Sequence, residues 1–68
     1  MNATATKGIW EEKLSEEVTI VFNTNRDPQR ITISHNEFGP VHLDYQEGIS
    51  EAQILKARSM AKEAYHIV

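Results

Sequence analysis

Several residue types are scarce or absent in this 68-residue chain, which contains no cysteine, three glycines and two prolines. Without thiols the chain cannot form disulfide bonds or thiolate metal sites, and we expect a cytoplasmic location because small secreted domains usually depend on disulfides. The glycines are far apart in the sequence, so none belongs to a phosphate-binding loop. No stretch approaches the roughly 20 apolar residues that span a bilayer, and we therefore expect no membrane partner.

Basic residues are also few: seven Lys and Arg stand against ten Asp and Glu, which gives a formal net charge of −3. Nucleic-acid-binding domains of this size usually carry excess positive charge, so this balance disfavours nucleic acid as a partner. An acidic surface fits a basic protein partner better. The chain is 40% hydrophobic and 25% charged, which is typical of a globular domain. Its length indicates one domain with a small core.

The N-terminal part of the chain does not have a single interpretation. Residues 1–7 are small and polar, and we expect a flexible arm there, followed by a single domain over 8–68. Trp10, Leu14 and Val18 recur every four residues, as on one face of a short helix. These residues also occupy even positions, as an alternating strand requires. The helix-forming run Glu-Glu-Lys-Leu favours a short N-terminal helix.

Three segments have the composition and alternation of β-strands. Residues 17–22 are rich in β-branched and aromatic side chains. Residues 30–35 and 41–45 alternate polar and apolar side chains, as half-buried strands do. The intervening segments contain Asn, Asp, Gly and Pro, which favour turns. The sequence therefore predicts a three-stranded antiparallel meander, with Val41 among the inward-facing residues.

A C-terminal helix over 51 to about 65 has the clearest local signals. Ser50 and Gln53 have the spacing of a capping box, and Ile49 and Ile54 that of a hydrophobic staple. Small side chains on the inward arc would let this helix approach the sheet closely. The arc contains Ile54, Ala57, Ala61, Ala64, Tyr65 and Val68. The predicted fold is a two-layer α+β domain with this helix on one face of the meander.

The sequence gives little support for catalysis or metal binding. His42 and Asp44 would share the solvent face of the last strand, and His35 ends the strand before it. A metal site needs about three converging ligands, and only two can be assembled here. We therefore expect no catalytic residues, no metal site and no cofactor.

The main functional hypothesis is a small, acidic, non-enzymatic module that binds a larger protein as its regulator or inhibitor. Trp10 would either fill the small core, which we favour, or anchor a partner, since tryptophan is enriched in interface hot spots. Phe38 lies in a turn, and Leu55 and Met60 extend the apolar surface beyond what one sheet can cover. The residues predicted to contact the partner are Trp10, Phe38, Leu55, Met60, Glu11 and Glu12.

Two alternatives belong to other functional classes. A nucleic-acid-binding domain would use the exposed sheet face together with Arg26, Arg30 and Lys56. A structural homodimer would gain the buried area that a small domain lacks.

Overall fold

A four-stranded antiparallel sheet followed by one helix makes up the fold in the computed structural model, which describes residues 8–67. The predicted arm over residues 1–7 and the predicted core position of Val68 lie outside the described residues. The strands follow the sheet in sequence order, so the sheet is a simple meander. The elements are β1 (Ile9–Lys13), β2 (Val18–Asn23), β3 (Gln29–His35), β4 (Val41–Tyr45) and α1 (Glu51–Ala64). The prediction of an α+β fold with a C-terminal helix is confirmed.

The predictions of three strands and of an N-terminal helix are wrong, because residues 9–13 form the strand β1. Trp10 lies opposite Phe22 in β2, and the two rings stack with centroids 4.9 Å apart. A spacing of four residues is also a multiple of two, so the apolar pattern alone could not separate helix from strand. Pairing with β2 decides the outcome, since a helix this short would be marginal in isolation.

The core lies between the two central strands and α1. It consists of the buried side chains Val18, Ile20, Phe22, Ile31, Ile33, Ala57 and Ala61. Ala57 and Ala61 are buried as predicted, and their small side chains allow α1 to pack closely on β2 and β3. Ala64 is exposed, contrary to prediction, because α1 ends there and Tyr65 and Ile67 pack against the core instead.

The edge strands are only partly covered by the helix. Val41 lies opposite Ile33, on the core face as predicted, yet its side chain is exposed. A helix about 10 Å wide covers roughly two strands spaced about 4.8 Å apart. The helix-facing side chains of β1 and β4 therefore keep contact with solvent.

Local signals fix the position of α1. Ser50 accepts a hydrogen bond from the backbone N–H of Gln53, and the Gln53 side chain accepts one from the backbone N–H of Ser50, which confirms the capping box. Gly48 before it has a φ of 94°, a conformation that favours glycine. The backbone N–H of Ile49 donates to Oε1 of Gln29 at 2.9 Å, so α1 begins beside the start of β3. Within residues 8–67, no helix has the length and apolar character needed to cross a bilayer.

Candidate binding site

Two turns and the C-terminal end of α1 meet at one end of the sheet. The backbone N–H of Asn36 donates to the carbonyl of Glu17 at 3.0 Å, which joins the β3–β4 turn to the β1–β2 turn. The His35 ring lies 4.7 Å from the Phe38 ring and 4.8 Å from the Tyr65 ring, measured between centroids. We name His35, Phe38 and Tyr65 the aromatic cluster. It brings together β3, the following turn and the residue that ends α1.

His35 is the buried centre of this cluster. It pairs with Val18 in the sheet, which places its side chain on the core face, and only 8% of that side chain is exposed. Its Nδ1 atom accepts a hydrogen bond from the backbone N–H of Glu37 at 2.9 Å. The neutral ring must therefore carry its proton on Nε2. Nε2 lies 3.9 Å from Oε1 of Glu17, a separation too long for a hydrogen bond.

A pocket of about 550 Å³ opens beside the cluster. Its apolar lining comes from Val18, Ala64, Ile67 and the aromatic cluster, and its polar lining includes Ser15, Glu17 and His66. Ser15 shapes this side of the pocket, because its Oγ accepts hydrogen bonds from the backbone N–H groups of Glu17 and Val18, both at 3.2 Å. The pocket thus combines aromatic rings with a carboxylate on a turn whose backbone is held in place.

The two turns that form this end of the molecule are acidic. Glu16 and Glu17 lie in the first turn and Glu37 lies in the second, while neither residues 14–18 nor residues 36–40 include Lys or Arg. The Glu17 side chain is 62% exposed. The local charge therefore attracts cations and repels anions.

The structure places the six predicted partner-binding residues in different parts of the fold. Phe38 lies in the aromatic cluster, and 60% of it is exposed. Leu55 and Met60 are exposed on α1, but five residues separate them by about 140° around the helix, so they face different directions. Trp10 is half-buried against Phe22. Glu11 pairs with Val21 on the sheet face that α1 leaves uncovered.

Glu12, the sixth residue, forms a partly exposed ion pair with another residue of the same domain. Its carboxylate accepts hydrogen bonds from Nε and Nη2 of Arg58 at 2.7 and 2.6 Å. The bond to Arg58 lowers the pKa of Glu12, and the same contact raises the pKa of Arg58. The pair joins the edge strand β1 to the flank of α1. Because 46 positions separate the two residues, no local sequence pattern indicated this pairing.

The basic residues of the nucleic-acid hypothesis do not form one surface. Arg30 donates to both carboxylate oxygens of Asp44, at 2.6 and 3.2 Å, and this contact lowers the pKa of Asp44. Arg26 donates from Nε to the carbonyl of Pro28 at 2.9 Å. Lys56 lies on α1, in the layer that covers the opposite face of the sheet from Arg30.

Sequence reasoning missed the contributions of His35 and Tyr65 to the site. Phe38 follows His35 by three residues across a turn, and this spacing was a weak signal that the two rings are in contact. The position of Tyr65 depends on where α1 docks on the sheet, so no local pattern predicts it.

In the part of the chain that the structure describes, no three His or carboxylate side chains converge as a metal site would require. No protein-family model, curated protein or solved structure matches the chain.

Proposed function

We propose that this protein is a small, non-enzymatic module that binds a larger protein through the aromatic cluster and its pocket. The observation that carries the proposal is the position of Phe38, which packs on His35 yet leaves 60% of its surface in water. Fully burying a phenylalanine side chain contributes about 1.5–3 kcal/mol, so covering the exposed part would contribute roughly 1–2 kcal/mol to binding. Aromatic anchors of this kind commonly dominate protein interfaces.

The cluster is also preorganised. His35 is held by the backbone N–H of Glu37, and its ring supports both Phe38 and Tyr65. Side chains that are already ordered lose less conformational entropy when a partner binds. The acidic turns around the cluster would speed the approach of a basic partner and help to orient it.

The cluster alone is smaller than a standard interface. Stable complexes bury about 800 Å² on each partner, which is roughly one sixth of the 4759 Å² surface of this chain. The bound protein would therefore extend beyond the pocket onto neighbouring surface. A regulator or inhibitor that docks one end of a compact domain onto a larger protein fits this size.

The test compares two serine substitutions in affinity capture. Phe38→Ser removes the proposed anchor, whereas Ile9→Ser removes a side chain that is similarly exposed, at 59%, near the opposite end of the sheet. Because the proposal includes a cytoplasmic location, the tagged proteins are incubated with a cytosolic lysate of the source cells, and bound proteins are quantified by mass spectrometry. Loss of the roughly 1–2 kcal/mol that Phe38 would contribute should weaken binding, and so reduce recovery of the partner, about five- to thirtyfold.

Two controls, of folding and of nuclease sensitivity, are needed to interpret that experiment. Circular dichroism must show that both variants keep the fold of the original protein. Equal recovery of every captured protein by Phe38→Ser and Ile9→Ser would contradict the proposal. A partner that disappears after nuclease treatment would also contradict it, because binding would then pass through nucleic acid.

A further inference from the structure

We infer that the pocket beside the aromatic cluster binds an arginine side chain presented by a basic segment of the partner. This inference rests on the proposed function and specifies its chemistry. Three features of the pocket point to a planar cation: the orientation of its aromatic rings, a carboxylate without a hydrogen-bond partner among residues 8–67, and the lack of Lys and Arg in the adjoining turns.

The aromatic rings offer faces suited to a guanidinium group. The planes of Phe38 and Tyr65 lie within 14° of each other, with centroids 6.4 Å apart, so a planar group stacked on either ring would be nearly parallel to the other. Aromatic faces attract cations within about 6 Å of the ring centroid. A guanidinium group is planar and less strongly hydrated than an ammonium group, so it stacks on such faces more readily than lysine does.

Glu17 supplies the negative charge. Its side chain lines the pocket, is 62% exposed, and forms no hydrogen bond with any group among residues 8–67. Its two oxygens are therefore available for the paired hydrogen bonds that a guanidinium group donates to a carboxylate. Nε2 of His35 lies 3.9 Å from Oε1 of the same carboxylate, too far for a hydrogen bond that would occupy that oxygen.

The alternative of an anionic ligand is disfavoured by the same residues. An anion could accept hydrogen bonds from the side chains of Ser15, His35 and His66, but it would lie beside the carboxylate of Glu17. The lining of the pocket includes no Lys or Arg. Glu16 and Glu37 in the adjoining turns would add to the repulsion.

The first experiment uses three short peptides as probes. They are acetyl-Gly-X-Gly-amide with arginine, citrulline or glutamate at X, titrated at low ionic strength into the isotope-labelled full chain and followed by NMR. Citrulline keeps the shape of arginine and removes its charge. We expect saturable shifts of the Phe38, Tyr65 and His35 resonances with the arginine peptide, and binding at least fivefold weaker with citrulline, since both the ion pair and the cation–π contact are lost.

A matched pair of variants tests the role of the carboxylate. Glu17→Gln and Glu47→Gln each remove one exposed negative charge, but Glu47 lies in the turn before α1, at the other end of the sheet. The fold should tolerate Glu17→Gln, because the structural hydrogen bonds of Glu17 come from its backbone. Exposed ion pairs contribute modestly, so Glu17→Gln should weaken arginine binding about two- to fivefold. Glu47→Gln should leave it unchanged.

The inference is overturned if citrulline binds as well as arginine, if glutamate binds better, or if no probe shifts the cluster resonances. Equal effects of Glu17→Gln and Glu47→Gln would overturn it as well. Partner capture then separates this failure from a failure of the proposed function. If Phe38→Ser loses the partner while Glu17→Gln retains it fully, the module binds its partner without the arginine contact. If neither variant changes capture, both proposals are wrong.

Discussion

Replacing Ala61 with leucine tests how closely α1 packs on the sheet. Ala61 is 0% exposed and faces the strands β2 and β3, which contribute the four largest fully buried side chains of the core. The leucine would add three carbon atoms at this contact. If the interface had room for them, burial at about 0.8 kcal/mol per methylene would stabilise the fold by roughly 2.4 kcal/mol.

The structure predicts instead that Ala61→Leu lowers the free energy of unfolding. With no exposed surface at Ala61, the added carbons must push α1 away from the core side chains of β2 and β3. Overpacking of this kind costs about 1–3 kcal/mol. A domain of 68 residues has a total stability of roughly 3–10 kcal/mol, so most of the Ala61→Leu protein should still fold, with a Tm lower by about 4–8 °C for each kcal/mol lost.

Urea denaturation followed by the fluorescence of Trp10 provides the assay. Trp10 stacks on the core residue Phe22, so its emission should change when the core opens. The matched control is Ala52→Leu, the same substitution at an exposed position in the first turn of α1. Its helix-propensity cost is small, and its free energy of unfolding should stay within about 0.5 kcal/mol of the original. An Ala61→Leu protein as stable as the original, or more stable, would refute close packing at this contact.

Two further predictions concern α1 and its attachment. A double-mutant cycle with Glu12→Gln and Arg58→Met should give a coupling free energy of about 0.5–1 kcal/mol, as expected for a two-bond pair that is partly exposed. Arg58 lowers the pKa of Glu12, so this coupling should be present above the unfolded-state pKa of Glu12 and disappear as the pH falls through its folded-state pKa. Urea titrations at several pH values would measure this dependence. A coupling free energy that is unchanged in acid would contradict the prediction. Ser50→Ala should reduce the free energy of unfolding by about 1 kcal/mol through loss of the N-cap, whereas Ser59→Ala, on the exposed face of α1, should have little effect in the same denaturation assay.

Local patterns were sufficient for the elements whose determinants lie close together in the chain. The capping box joins Ser50 and Gln53, only three positions apart, and α1 begins where those residues predict. The alternation in β3 and β4 likewise fixed which side chains face the core. The binding site was less predictable. Phe38 could be identified as an aromatic residue in a turn, but no local pattern indicated which rings would contact it.

By itself, the sequence determined three strands of the antiparallel meander, the C-terminal helix and the burial of Ala57 and Ala61, because periodicity and capping act over a few residues. Only the tertiary structure decided that residues 9–13 form a strand. Their pattern of apolar residues fits both a helix and a strand, and pairing with β2 selects the strand. It also decided the pairing of Glu12 with Arg58 and the meeting of His35, Phe38 and Tyr65. These contacts depend on where α1 lies on the sheet, and that position is set by the packing of the whole core.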